Sequence, residues 1–299
     1  MNYSDRVASL KKEKDALILA HNYCLPEVQD IADHVGDSLG LSLIASETDR
    51  SVIVFCGVTF MAESAKVLNP SKTVLMPEPE AFCPMASMCT SEQLKEFRKN
   101  NPDVGIAGYV NSTASSKTEM DMCCTSSNAV KAVASMPQKK VLFVPDKNLG
   151  SYVAGKLPDK DIILWDGYCP LHQAITVQQV SDMKKKYPKA VVLAHPECRS
   201  DVLDISDHIG STEFIYNAIE KLSEKDCIIV TEIGMKHRLE KRYPKKRFHF
   251  IEHAACHTMK MTDVRSVIRC LENTDNEVVL SKDVIKKANV PLKRMIEIK

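Results

Sequence analysis

Gly167-Tyr168-Cys169-Pro170-Leu171-His172-Gln173 follows the apolar run Ile162-Ile163-Leu164-Trp165, and the rest of the chain is organised around this stretch. Its cysteine is the middle one of three evenly spaced cysteines, because Cys83 lies 86 residues before Cys169 and Cys256 lies 87 residues after it. Each of the three follows an apolar segment that predicts a short buried strand. The pattern predicts three copies of one unit, each bringing a thiolate from the end of its last strand to a shared centre.

Three other features recur at nearly the same period, as a true repeat requires. They are a strand that ends in polar residues, a hydroxyl residue that opens a helix, and an apolar central strand. The strand ends are at His21, Tyr109 and His195, the hydroxyls are Ser38, Ser126 and Thr212, and the central strands are 52–55, 141–144 and 228–230. Ligands of parallel sheets bind beyond the carboxyl ends of the strands, so a shared site on the threefold axis is expected.

The predicted order within each unit is strand, helix, helix, strand, helix, strand. Alternating strands and helices predict parallel sheets with right-handed crossovers. The predicted fold class is α/β, with three pseudo-symmetric three-layer αβα domains with parallel sheets around a central cluster. The predicted domains are 1–88, packed with the C-terminal helices of 257–299, then 89–174 and 175–256.

Composition narrows the class of protein. The chain has 299 residues, 44% of them hydrophobic, and a formal net charge of +1, which gives no electrostatic support for binding nucleic acid or a membrane surface. No apolar run is long enough to span a bilayer, and the chain starts without a secretory segment, so a cytoplasmic protein is expected. Eleven cysteines in a reducing compartment indicate metal ligation or redox chemistry rather than disulfides.

The three spaced cysteines suit some metal centres better than others. A structural zinc site normally has four ligands, some of them in short paired spacings. Three thiolates fit a [4Fe-4S] cluster with one iron left without a protein ligand, and such an iron can act as a Lewis acid. Catalytic zinc and no metal at all stay open as alternatives. Cys56, Cys227 and Cys270 are predicted to be structural, because they lie in strand or helix patterns.

Polar groups around the predicted centre suggest anion binding and proton transfer. Hydroxyls at helix starts favour anions, although any one of them alone is more often a helix cap. Tyr23, Tyr109, His21, His195 and Glu197 are candidate acids and bases at strand ends. His195 and Glu197 are two residues apart and should face the same side. The alternative for Glu197 is a structural ion pair with Arg199.

Eight motifs in register, from about residue 17 to the C-terminus, resemble the quinolinate synthase family. They are His21-Asn22-Tyr23, Gly36-Asp37-Ser38, Tyr109-Val110-Asn111-Ser112-Thr113, Cys124-Thr125-Ser126, Pro145-Asp146-Lys147-Asn148-Leu149-Gly150, Cys169-Pro170, His195-Pro196-Glu197-Cys198 and Thr231-Glu232-Ile233-Gly234-Met235. Any one of them is weak, but the set is specific.

The resemblance implies both the reaction and the site. The family condenses iminoaspartate with dihydroxyacetone phosphate to quinolinate for NAD biosynthesis, releasing phosphate and two waters, on a [4Fe-4S] cluster. An enzyme that supplies iminoaspartate is an implied partner, and no nucleic acid or membrane is. The implied cluster ligands are Cys83, Cys169 and Cys256. The implied substrate-binding residues are His21, Ser38, Tyr109, Asn111, Ser126, His195, Glu197 and Thr212. The implied proton-transfer groups are Tyr23 and Glu197, with Tyr109 assisting closure of the site.

Two other classes of protein stay open on the sequence alone. One is a zinc-dependent aldolase or lyase that uses the same three cysteines. The other is an iron or redox sensor, which the neutral charge and the lack of a basic recognition helix disfavour. Cys24, Cys89 and Cys123 match no ligand position of the family.

Overall fold

The computed structural model describes residues 3–298, in which three four-stranded parallel sheets repeat one topology. The first sheet has the order β2-β1-β3-β4 and contains β1 (Ala16–His21), β2 (His34–Gly36), β3 (Val52–Cys56) and β4 (Thr73–Leu75). The second has the order β6-β5-β7-β8 and contains β5 (Gly105–Tyr109), β6 (Met122–Cys124), β7 (Lys140–Val144) and β8 (Asp161–Leu164). The third has the order β10-β9-β11-β12 and contains β9 (Val191–Ala194), β10 (His208–Ile209), β11 (Asp226–Val230) and β12 (Arg247–Phe250). The predicted fold class is confirmed.

Helices connect the strands and extend the chain beyond the last sheet. They are α1 (Tyr3–Glu13), α2 (Pro26–Ile31), α3 (Ser38–Glu47), α4 (Thr59–Leu68), α5 (Ser91–Asn100), α6 (Ala114–Lys117), α7 (Ala129–Ser135), α8 (Lys147–Lys156), α9 (Pro170–Ala174), α10 (Val177–Lys186), α11 (Ser200–Asp204), α12 (Thr212–Ala218), α13 (Met235–Arg242), α14 (Val264–Asn273) and α15 (Lys282–Glu297). The helices that join the sheets, α5 and α10, both start with a capping box, in which Thr90 pairs with Gln93 and Thr176 with Gln179. None of the helices in residues 3–298 is long and apolar enough to cross a membrane.

Two expectations about the strands were wrong. Each unit has a fourth strand, β2, β6 or β10, between its first two helices, so the order is strand, helix, strand, helix, strand, helix, strand. These edge strands have three residues at most, which is too short for a hydrophobic period to show. The last strands β8 and β12, predicted to be buried, are partly exposed at sheet edges. The corresponding edge strand β4 is largely buried, because residues 276–278 form hydrogen bonds along it.

An aspartate fixes each of the short edge strands in place. The aspartate stands directly before the edge strand. Its carboxylate accepts the backbone N–H of one residue in the neighbouring strand, and its own backbone N–H donates to the carbonyl of that residue. The N–H to carboxylate distance is 2.8 Å in every unit, from Ile18 to Asp33, from Ile106 to Asp121 and from Val192 to Asp207. The repeat therefore extends to individual hydrogen bonds at the amino-terminal edges of the sheets.

We expect Asp121→Ala to lower the free energy of unfolding by about 1–3 kcal/mol, because the N–H of Ile106 loses its acceptor. Urea unfolding measures the change. Asp182→Ala on α10 is the control, since that carboxylate contacts the exposed side chains of Gln178 and Lys185, and its effect should stay within about 0.5 kcal/mol. Equal effects of the two substitutions would contradict the role of Asp121.

The three units do not share the hydrophobic core equally. The first and second sheets contribute to one continuous core, which includes Leu19, Phe143 and Leu292. The third sheet has a separate core on each face. Of the C-terminal helices, α14 packs on α1, and α15 contacts α4 of the first unit as well as α6 and β6 of the second.

Candidate active site

One pocket is lined by all twelve side chains that the sequence singled out, although they come from three units. They are His21, Tyr23, Ser38, Cys83, Tyr109, Asn111, Ser126, Cys169, His195, Glu197, Thr212 and Cys256. The pocket lies beyond the carboxyl ends of the strands, as parallel sheets predict. Its lining also includes His172 and Thr258, which sequence reasoning did not select.

The three cysteine loops have one backbone geometry. In each unit the carbonyl two residues before the cysteine accepts an N–H from the segment that follows the third strand of the unit. The three bonds, Thr59 to Ala81, Lys147 to Gly167 and Ile233 to Ala254, are each 2.8 Å long. The loops are therefore equivalent structures, and they bring Cys83, Cys169 and Cys256 to the same pocket.

These three cysteines differ from the rest in their surroundings. They are partly exposed, whereas the other eight cysteines in residues 3–298 are buried. The sulfur of Cys169 lies 3.2 Å from Nδ1 of His172, and that of Cys256 lies 3.4 Å from the hydroxyl of Thr258. Burial raises the pKa of the Cys83 thiol to about 12, although the N–H groups of Ala86 and Met85 oppose it.

This donor set fits an iron–sulfur cofactor. Three sulfurs from equivalent loops reach one pocket, and a metal must displace their thiol protons to bind there. Cys24, Cys89 and Cys123 are buried and are absent from the lining of this pocket. A second donor set also stands out, since ligand atoms of Cys169, His172 and Glu197 lie within 4.8 Å of one another. A cysteine, a histidine and a carboxylate are typical zinc ligands, so this set keeps the zinc alternative open.

Glu197 is the centre of the polar network in the pocket. Its Oε1 accepts a hydrogen bond of 2.5 Å from the hydroxyl of Tyr109, and its Oε2 lies 2.7 Å from Nδ1 of His172. His195 is 4.0 Å from the same oxygen. The alternative of an ion pair with Arg199 was wrong, because Arg199 binds Asp201 instead.

Tyr23 joins this network from the first unit. Its hydroxyl lies 2.7 Å from Oγ1 of Thr231, and the same oxygen lies 2.9 Å from Nε2 of His172. The chain Tyr23, Thr231, His172 and Glu197 therefore connects two predicted proton-transfer groups through two residues that the sequence analysis did not select. The position of His172, three residues after Cys169, was the available signal, but its partner Thr231 is 59 residues away.

Burial sets the protonation states of the network. It lowers the pKa of His21 and of His195 to about 3, so both are neutral near pH 7. Burial and the charge of Glu197 raise the pKa of Tyr23 and of Tyr109 well above the ordinary value. Burial alone would raise the pKa of Glu197, but His172, His195 and the Tyr109 hydroxyl bring it below its ordinary value. Glu197 is therefore the ionised acceptor, and the tyrosines are protonated donors.

The three predicted helix-start hydroxyls take different positions. Ser38 and Thr212 are the first residues of α3 and α12, but the caps are Asp37 and Ser211. Ser126 instead lies in the turn three residues before α7. The expectation that all three open helices was therefore wrong for Ser126, because Thr125 and Asn128 close a turn there first.

Two of these hydroxyls lie at contacts between units. Thr212 accepts a hydrogen bond of 3.0 Å from the amide of Asn22, and Ser126 lies 3.2 Å from Nε2 of His195. Oδ1 of Asn111 is buried without a hydrogen-bond partner within residues 3–298, so it is an acceptor that a ligand could satisfy. The described lining contains neither lysine nor arginine. An anion in this pocket would therefore be held by hydroxyl, amide and imidazole groups.

Comparison with known proteins agrees with this geometry. The family model described as quinolinate synthetase A protein matches residues 5–297. A quinolinate synthase of Clostridium kluyveri is 48% identical over 98% of this chain and 97% of its own length. The quinolinate synthase of Aquifex aeolicus is 46% identical over 98% of this chain and 92% of its own length. That of a Sulfurihydrogenibium species is 45% identical over 98% of this chain and 97% of its own length. The chain belongs to the quinolinate synthetase A protein family.

Proposed function

We propose that the chain is a quinolinate synthase of NAD biosynthesis, a dehydrating condensation enzyme of the transferase type. Its proposed reaction joins iminoaspartate to dihydroxyacetone phosphate and releases quinolinate, phosphate and two waters. The observation that carries the proposal is that one pocket contains three partly exposed cysteines beside Glu197, which accepts a hydrogen bond from Tyr109, and beside Tyr23. Relatives of this name match nearly the whole chain.

The proposed cofactor is a [4Fe-4S] cluster held by Cys83, Cys169 and Cys256, with one iron free of protein ligands. When bound, it supplies a Lewis acid for a hydroxyl or carboxylate of the substrate. The eleven free thiols suit a reducing cytoplasm, where we place the enzyme. We also propose the domain boundaries 1–88 with 257–299, 89–174 and 175–256, which leave each sheet whole.

The substrate is proposed to bind through neutral donors. The proposed contacts are His21, Ser38, Tyr109, Asn111, Ser126, His195, Glu197 and Thr212. The unpartnered Oδ1 of Asn111 suits an N–H of the substrate. Without lysine or arginine in the described lining, the carboxylates and phosphate are held by hydrogen bonds, so phosphate leaves without breaking a strong ion pair.

Proton transfer is assigned to the network around Glu197. Its carboxylate takes a proton from a substrate carbon, since it is ionised and buried beside His172. Tyr23 donates a proton to the leaving hydroxyl. The proton that Glu197 has taken from carbon passes to Nδ1 of His172, and a proton from its Nε2 returns through Thr231 to Tyr23. Tyr109, bonded to Glu197, closes the site against water. His195 accepts the backbone N–H of Glu197 through Nδ1 at 3.4 Å, and its Nε2 is available to orient the substrate.

An anaerobic assay tests this function. Reconstituted protein should form quinolinate from the two substrates and show the broad visible absorption of an iron–sulfur cluster. A colourless, zinc-containing protein that catalyses aldol cleavage would instead support the zinc lyase, through the set Cys169, His172 and Glu197.

Loss of a single anion-binding hydroxyl should weaken substrate binding. We expect Ser126→Ala and Thr212→Ala each to raise the apparent KM roughly ten- to a hundredfold, as for the loss of one hydrogen bond to a charged group. The cluster spectrum should not change. Ser135→Ala is the matched control, because its hydroxyl donates to the carbonyl of Ala132 in α7 and is absent from the pocket lining. Unchanged KM in both variants would contradict a substrate role for these hydroxyls.

A further inference from the structure

Two buried carboxylates contact the backbone of the cysteine loops and have no part in the mechanism above. Asp146 follows β7 and Glu232 follows β11, and neither side chain has measurable exposure. Oδ2 of Asp146 accepts the N–H of Cys169 at 3.0 Å. Oε1 of Glu232 accepts the N–H of Cys256, also at 3.0 Å. Two of the three loops therefore carry the same contact at the cysteine itself.

The second oxygen of each carboxylate fixes the carboxylate in turn. Oδ1 of Asp146 accepts the N–H of Leu149 at 2.7 Å, and Oε2 of Glu232 accepts the N–H of Gly234 at 2.6 Å. Glu232 also pairs with Lys260, which binds the carbonyl of Tyr23. Both carboxylates are thus held between the segment after a strand and the amide of the cysteine.

The first unit shows that the loop fold does not require such a carboxylate. Val58 occupies the corresponding position there, directly before Thr59, whose N–H makes the bond to Ala81 that recurs in all three units. The aspartates of the edge strands also recur in all three units. These two kinds of contact occur in all three units, whereas the contact between a carboxylate and the cysteine N–H occurs in two. Asp146 also caps α8 through Oδ1. Neither this cap nor the fold of the loop needs the other oxygen to accept the N–H of the cysteine, and burying a carboxylate costs free energy.

We propose that Asp146 and Glu232 are positioning residues for Cys169 and Cys256, and that they hold these two thiols in the geometry that binds the cluster. This inference rests on the iron–sulfur cofactor of the proposed function. The carboxylate fixes the amide of the cysteine, and the amide plane fixes the direction of the side chain. Groups that orient metal ligands in this way typically change metal affinity ten- to a hundredfold when they are lost.

Asp146→Val is the informative substitution, because it copies the first unit and removes the acceptor of the Cys169 N–H. Asp146→Asn keeps one oxygen acceptor in place of two. Asp121→Ala removes a carboxylate that accepts a backbone N–H of the same unit, away from the cysteine loop. Glu232→Ala repeats the test in the third unit. For each reconstituted variant, iron and sulfide per chain and the rate of iron loss to a chelator are measured. Circular dichroism of the same samples checks the fold.

We expect Asp146→Val and Glu232→Ala to lose iron at least roughly tenfold faster than the unsubstituted chain. Asp121→Ala should retain iron as the unsubstituted chain does, and Asp146→Asn should lose iron more slowly than Asp146→Val. Retention in Asp146→Val, or equal loss in Asp121→Ala, would overturn the inference while leaving the cofactor standing. If the unsubstituted chain takes up no iron and sulfide, the proposed cofactor is wrong and the inference fails with it. If Asp146→Val does not fold, faster loss in Glu232→Ala than in Asp121→Ala supports the inference, and equal loss overturns it.

Discussion

Replacing Cys83, Cys169 or Cys256 singly with alanine is expected to abolish cluster assembly. A centre held by three thiolates has no spare protein ligand, and the other cysteines in residues 3–298 are buried and do not line the pocket. Iron and sulfide analysis after anaerobic reconstitution measures the effect, and quinolinate formation should disappear with the cluster.

Buried cysteines supply the matched controls. Cys56 and Cys227 lie in β3 and β11, and Cys270 lies in α14, all fully buried. Their replacement by alanine should leave the iron content unchanged, with at most a modest loss of stability from the missing sulfur. A normal cluster after loss of any one of the three pocket cysteines would contradict the ligand assignment.

Glu197→Gln should lower turnover by about 10²–10⁴-fold, the range for loss of a general base. The amide keeps the shape of the side chain and can still accept the Tyr109 hydrogen bond, but it cannot take a proton from carbon. Cluster content and substrate affinity should therefore be preserved. Turnover and thermal midpoint are measured on the same anaerobic sample.

Arg199→Ala is the control for this substitution, because Arg199 binds Asp201 rather than Glu197. It should leave turnover near the original value. The opposite result for Glu197→Gln, near-normal turnover with a lowered thermal midpoint, would make Glu197 a structural residue and remove it from the mechanism.

The sequence predicted features that repeat along the chain better than features that depend on one contact. The period of Cys83, Cys169 and Cys256 indicated three units, and the equivalent loops explain why it did. The edge strands were missed because two or three residues carry no period.

The residues that contact the predicted site residues from outside were missed for a different reason. His172 meets Thr231 across 59 residues, and Asp146 meets Cys169 across 23. The first pair depends on the packing of two units, and the second on how the loop after β8 lies against the end of β7 within one unit. Neither leaves a spacing rule in the sequence. Ser126 was misplaced because a polar turn before a helix resembles a cap in sequence.

The division of the pocket among three sheets has a consequence for how the protein is made. Strand pairing within a sheet joins segments that are close in the chain, so each unit can form early. The contacts across the pocket join distant residues: Tyr109 and Glu197 are 88 positions apart, and Tyr23 and Thr231 are 208 positions apart. During synthesis the domains emerge in order, and the carboxylate, the threonine and Cys256 emerge last. A chain that stops before the third sheet therefore has Tyr23 and Tyr109 without Thr231 and Glu197, and Cys83 and Cys169 without Cys256, so its site is incomplete.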